Sequence, residues 1–244
     1  MFSWTSAALS DVGKRRKINE DDYLDRPDAG LWVVADGMGG YEAGDVASQA
    51  ITQSLKTLQP LLKMSAFVDE VENRLLNVNT QLYEMARKRR STIGSTVVAL
   101  LAIKSHCVAL WAGDSRAYRY RAGQLEPLSQ DHSHVEELIE QGLLLRDEAE
   151  NHPDANVITR AVGAQASLFL DLDIYPVQDR DIFLLCSDGL YKEITESEIA
   201  EVLSKKRFNC QKAAQQLIAL ALSRKCKDNV TVVVIQAKTR YKRG

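Results

Sequence analysis

Apolar positions along this chain follow two spacings, and the switches between them mark its elements. The first ten residues partly alternate (Phe2, Trp4, Ser6, Ala8), which predicts a strand. Leu31–Ala35 is a short apolar run bounded by Gly30 and Gly37, the mark of a buried strand. Helical spacing then appears twice. Residues 43–58 align Val46, Ala47, Ala50, Ile51, Leu55 and Leu58, and residues 66–86 align Phe67, Val71, Leu75, Val78, Leu82 and Met85. Strands return at Thr96–Ile103, Cys107–Ala112 and Ala117–Tyr120, with Gly123 as the following turn. Residues 131–156 are polar and mixed, with one helical patch at Val135, Leu138, Ile139 and Leu143; they read as an excursion over the surface. Ile182–Cys186 is a further buried strand. Thr195 and Glu198 form a capping box that opens a helix through Val202 and Leu203. Ala213, Ala214, Leu217, Ile218 and Ala221 mark one more helix, and Val230–Ile235 closes the pattern as a strand.

This order lacks regular βαβα alternation, so a doubly wound parallel sheet is disfavoured. Packed sheets covered by helix pairs, an α+β arrangement, fit it better. No repeat and no compositional break divides the chain, so residues 1–244 are expected to form a single domain. Folding a chain of this size takes its surface from about 39,000 Å² to roughly 11,000 Å², enough for one substantial core without disulfides.

Composition narrows the function. At 45% hydrophobic, 26% charged and 7% aromatic residues, collagen, coiled coil and low-complexity linker are all excluded. The longest apolar run, Val97–Ile103, is far too short to span a bilayer, and the first residues lack a secretory leader's basic and apolar regions. A cytoplasmic protein with no membrane partner is expected. A net charge of −2 offers no field for nucleic acid, and none is expected as a partner. Short basic runs mostly read as solvated surface, and Arg87–Arg90 as a helix C-terminus; Lys14–Lys17 differs because Glu20, Asp21 and Asp22 follow at once. Cys107, Cys186, Cys210 and Cys226 have no zinc-like spacing, and Cys107 and Cys186 lie inside apolar runs as small core residues.

The acids carry the chemistry. Asp36, Asp114 and Asp188 each end an apolar run, and Asp228 stands just ahead of a fourth. A carboxylate at the end of a buried strand is costly unless something positive neutralises it. Antiparallel neighbours bring strand ends and starts together, so all four can share one rim, where a divalent cation would relieve their repulsion. Oxygen-only ligands suit magnesium or manganese. Each Asp-Gly taken alone reads as a turn; four acids at strand ends do not. Gly37, Gly39 and Gly40, just behind Asp36, let a backbone carbonyl approach a metal or phosphate.

Eight segments in register extend this reading: Arg16–Asp21 (R-K-I-N-E-D), Ala35–Gly40 (A-D-G-M-G-G), Gly94–Thr96 (G-S-T), Ala112–Arg116 (A-G-D-S-R), Gln130–Ser133 (Q-D-H-S), Asn156–Gly163 (N-V-I-T-R-A-V-G), Ser187–Leu190 (S-D-G-L) and Lys227–Thr231 (K-D-N-V-T). Their order, from about Asp11 to Ile235, resembles the bacterial branch of the protein phosphatase 2C (PPM) family of metal-dependent serine/threonine phosphatases. The resemblance implies a four-layer α-β-β-α sandwich of two antiparallel sheets flanked by helix pairs. It implies that Asp36 bridges two Mn2+ or Mg2+ ions and that the Gly37 carbonyl ligates one of them. Asp188 and Asp228 would complete the other. Glu20 would act through a bound water with Asp21 in the next layer out, and Asp114 with Asp188 would take a third ion. Arg16 would grip the substrate phosphate, for which its planar fork is suited. Two such ions clamp an in-line displacement and generate the hydroxide that attacks phosphorus.

The substrates implied are phosphoserine and phosphothreonine proteins, and the partner implied is a Hanks-type Ser/Thr kinase whose action is reversed; the chain is expected to act as a monomer. By alignment, 131–156 is the family's flap beside the active site. One departure stands out: many eukaryotic members carry His where this chain has Met38, which cannot donate a proton. His132, His134 and His152 are expected to be structural or exposed. A non-catalytic relative should have lost metal carboxylates, yet Asp36, Asp188 and Asp228 are all present.

Overall fold

Alternation within the strands shows why two sheets must stack. In β3 (Leu31–Gly39), Leu31, Val33 and Ala35 face one apolar cluster while Trp32 and Val34 face another. β5 (Val97–Ile103), β6 (His106–Ala112), β10 (Ile182–Cys186) and β11 (Val230–Thr239) divide their residues in the same way. A strand that is apolar on both sides must be covered on both, so each sheet carries helices outside and the other sheet inside. These relations come from a computed structural model that describes residues 2–39, 43–149, 152–205 and 208–240. Gly40, residues 150–151 of the surface excursion and the basic tail 241–244 lie outside them.

The first sheet runs β1 (Phe2–Asp11), β11, β10, β7 (Arg116–Arg121), β8 (Gln124–Pro127). The second runs β2 (Asp21–Arg26), β3, β5, β6, β9 (Asp171–Pro176), with β4 (Ile93–Ser95) paired to the far end of β3. All pairings in both sheets are antiparallel. α1 (Gly44–Lys56) and α2 (Met64–Arg89) cover the second sheet. α5 (Glu196–Leu203) and α6 (Cys210–Ser223) cover the first. Trp32, Trp111, Phe183 and Val233 fill the layer between the sheets. The fold is the four-layer α-β-β-α sandwich.

Local signals hold where the chain states them directly. Thr195 and Glu198 form the reciprocal cap of α5, and all four cysteines are buried and free. The Arg87–Arg90 run closes α2, with Arg90 as its left-handed cap. The sequence pattern missed β2, β4, β8, β9 and the one-turn helix α4 (Asp188–Tyr191). In the excursion, α3 (His134–Glu140) is capped by Ser133, while Leu143, assigned to the same patch, lies beyond the helix and is exposed.

Candidate metal centre

The same end of both sheets opens on a cleft of about 760 Å³, and six of the seven expected ligand residues, all but Asp21, line it. Asp36, Gly37, Asp114, Asp188 and Asp228 line it, together with Arg16, Glu20, Met38 and Lys192. Asp36 sits in β3 directly across the ladder from Asp21 in β2. Asp188 starts α4 just after β10, Asp114 follows β6, and Asp228 precedes β11.

Neutral groups from the motifs brace the acids. Ser187 Oγ and Thr231 Oγ1 each donate to Asp21 Oδ2 at 2.7 Å, tying the end of one sheet to the start of the other. Asn229 holds the segment before β2: its Oδ1 accepts from the Glu20 N–H at 2.8 Å, and its Nδ2 donates to the Val12 and Ile18 carbonyls at 3.0 Å. Thr96 Oγ1 accepts from the Asp36 N–H, and Ser95 Oγ donates to the Asp36 carbonyl. Gly37 admits no side chain: a Cβ there would stand 2.0 Å from the Gly44 carbonyl oxygen and 2.6 Å from that of Glu20. At Gly189 a Cβ would stand 2.0 Å from the Asn229 carbonyl oxygen. Both glycines therefore let backbone pack against backbone beneath the acids.

The electrostatics are those of crowded carboxylates. Burial pushes Asp36 well above the usual carboxylate range, and Asp21, Asp188, Asp114 and Asp228 add to the rise. Asp21 and Asp114 are pushed up to about 7, first by burial and then, against the hydrogen bonds that lower Asp21, by neighbouring acids. Burial also raises Glu20, with Arg16 opposing. Two buried oxygens, Asp21 Oδ1 and Asp188 Oδ1, have no hydrogen-bond partner. Unpartnered carboxylate oxygens in an acid-rich pocket, beside a carbonyl cradle that only glycine permits, fit a divalent cation. Among the described residues no three His, Cys, Asp or Glu side chains are arranged to hold an ion as they stand. Asp188 and Asp228 instead turn one oxygen each to a cation: Lys192 Nζ donates to Asp188 Oδ2 at 2.6 Å, and Arg16 Nη2 to Asp228 Oδ2 at 2.8 Å.

Several motif residues turn out to support the site from outside it. Arg116 grips Asp131 with two bonds of 2.9 and 2.8 Å, and the Val162 N–H and carbonyl pair with those of Ser95. His132 is a structural residue, as expected: it stacks on Trp111, accepts from the Gly113 N–H and meets Asp171 at 3.1 Å. Lys192, whose ammonium donates to Asn156 Oδ1 at 2.8 Å, had no motif signal of its own. It is recognisable only once α4 and the loop near it are in place.

A family model for protein phosphatase 2C matches residues 13–223. A serine/threonine phosphatase of Listeria welshimeri is 34% identical over 242 residues, covering 96% of both chains. Among solved structures, PppA, a key regulatory component of the type VI secretion system in Pseudomonas aeruginosa, superposes with a TM-score of 0.89 at 43% identity, over 96% of this chain and 97% of that one. The catalytic domain of the serine/threonine phosphatase PstP, in complex with two manganese ions, superposes at 0.88 with 30% identity, over 98% of this chain and all of that one.

Proposed function

Because the chain belongs to the protein phosphatase 2C family, and is a serine/threonine protein phosphatase, we propose that its acidic cleft hydrolyses phosphoserine and phosphothreonine with two divalent ions, Mn2+ or Mg2+. Asp36, the Gly37 carbonyl, Asp188 and Asp228 would hold the ions, with Glu20 and Asp21 behind them. When bound, the ions supply the positive charge that offsets these carboxylates and bring a water's pKa towards neutrality. The observation that carries this reading is the crowding of half-buried Asp36 with four other aspartates. Such crowding costs stability and is kept where a cation is to be received.

The chain's own residues divide the remaining work. Arg16, half-exposed at the lip of the cleft, swings from Asp228 to the incoming phosphate and orients it through paired N–H donors. Among the described residues that line the cleft there is no Ser, Cys or His, which suits attack by water without a protein nucleophile. Met38 lines the wall and offers no proton to the leaving oxygen. The whole chain acts as one cytoplasmic, monomeric catalytic unit, with the 131–156 segment beside the cleft choosing among phosphoproteins. Its partners are a Ser/Thr kinase and that kinase's substrates. The likeness to PppA supports a role in regulating secretion. Among the described residues no helix is long and apolar enough to cross a membrane.

The test is hydrolysis of p-nitrophenyl phosphate and of a phosphothreonine peptide with Mn2+. Turnover that vanishes with chelator and in Asp36→Asn is expected; equal activity of wild type and Asp36→Asn overturns the reading.

A further inference from the structure

Asp188 uses its two oxygens differently. Oδ1 is buried without a partner, while Oδ2 receives Lys192 Nζ at 2.6 Å. The same ammonium lies 3.9 Å from Asp114 Oδ2 and donates to Asn156 Oδ1 at 2.8 Å. Lys192 caps α4 four residues after Asp188, so the helix turn itself aims its side chain back over that carboxylate. Asp114 has a second neighbour at the same oxygen: Tyr191 Oη donates to its carbonyl at 2.9 Å and lies 3.3 Å from Oδ2. The position between Asp114 and Asp188, where the resemblance implies a third ion, is thus already served by a fixed positive charge.

We propose that Lys192 takes the place of a third divalent ion, so that this protein binds two ions and not three, and that the same ammonium pins the loop at Asn156 to the cleft. This rests on the reading that Asp36, Asp188 and Asp228 hold the two core ions. Asp188 can serve both roles because they use different oxygens: Oδ1 has no partner and is left for a core ion, while Oδ2 holds the lysine. An ammonium offsets one negative charge with three directed donors, and it stays covalently in place at any metal concentration. A further doubly charged ion would have to displace it, giving up the bonds to Asp188 and Asn156 together. Lys192 is a positioning residue by this account: it touches ligands and loop, not the reacting atoms.

The experiment is Mn2+ binding by titration calorimetry on the full chain: wild type, Lys192→Met, Lys192→Arg and Asp114→Asn, each checked for folding by circular dichroism. Two ions are expected for wild type. Lys192→Met should gain a third, or bind it at least tenfold more tightly, and Lys192→Arg should restore two. Asp114→Asn should leave the count at two, so the proposal stays testable even if Lys192→Met does not fold. A wild type that binds three ions and loses one in Asp114→Asn overturns the proposal, as does a folded Lys192→Met indistinguishable from wild type. A wild type that binds no ion brings down the two-metal reading itself; one that binds two, with Lys192→Met also binding two, brings down only the role of Lys192.

Discussion

An aspartate flanks each end of strand β10, and the two are treated in opposite ways. At the start, Asp181 is 1% exposed and fully provided for: Arg121 donates to both its oxygens at 2.7 and 2.6 Å, and the Gln178 N–H adds a bond at 2.7 Å. At the far end, Asp188 leaves one oxygen unpartnered and joins a cleft that holds Asp36, Asp114 and Asp228. Burial of an acid alone therefore marks no site. A complete set of donors makes the first aspartate a structural bolt, while crowding with like charges is what the proposed reception of cations requires of the second.

The contrast breaks most sharply under substitution. Asp36→Asn should lower kcat on p-nitrophenyl phosphate by on the order of 10²–10³-fold or more, as loss of a key electrostatic group does. With chelator present it should raise the melting temperature, because it removes one of the repelling acids. Asp181→Ala should do the reverse. Stranding Arg121 should cost about 3 kcal/mol, while the kcat of the protein that remains folded changes little. For a chain of this size each kcal/mol moves the melting temperature by about 2–4 °C, so calorimetry reads both. A loss of stability in Asp36→Asn equal to that in Asp181→Ala would erase the distinction.

A pH series sharpens it further. Asp21 and Asp114 stand near 7 in the folded protein against an ordinary value near 3.8, so folding takes up protons between those values. Their contribution is fully present below about pH 4 and is lost as pH rises through 7. In chelator, the melting temperature should accordingly fall by several degrees between pH 5 and pH 8, and Mn2+ should reverse the fall at pH 8. A flat or rising profile in chelator would contradict the crowding. The smallest effect is expected far from both ends of β10: Thr195→Ala removes the α5 cap and should cost about 1 kcal/mol with kcat unchanged.

How much of this was legible follows from the same chemistry. β3, β5, β6, β10 and β11 announce themselves because both their faces are apolar, which leaves an unbroken run in the chain. β2 reads D-D-Y-L-D-R and β9 reads D-L-D-I-Y-P; both lie at sheet edges and owe their strand form to a neighbour's hydrogen bonds, which no local pattern records. Asp36, Asp114, Asp188 and Asp228 were visible because each sits at the edge of an apolar run. Lys192 was not: its closeness to Asp188 depends on a one-turn helix with no periodicity to detect, and its bond to Asn156 joins residues 36 apart in the chain. The G-S-T and K-D-N-V-T segments were visible as motifs, but their work of bracing Asp36, Glu20 and Asp21 needed the pairing of both sheets.

The central claim is that carboxylates from separate strands gather to receive two divalent ions. Anomalous diffraction from crystals grown with Mn2+ addresses it directly. Two manganese peaks are expected at the cleft, with Asp36 touching both and Asp188 and Asp228 in contact with one of them. A cleft with no manganese within bonding distance of Asp36, in crystals that carry the ion elsewhere, would contradict the account.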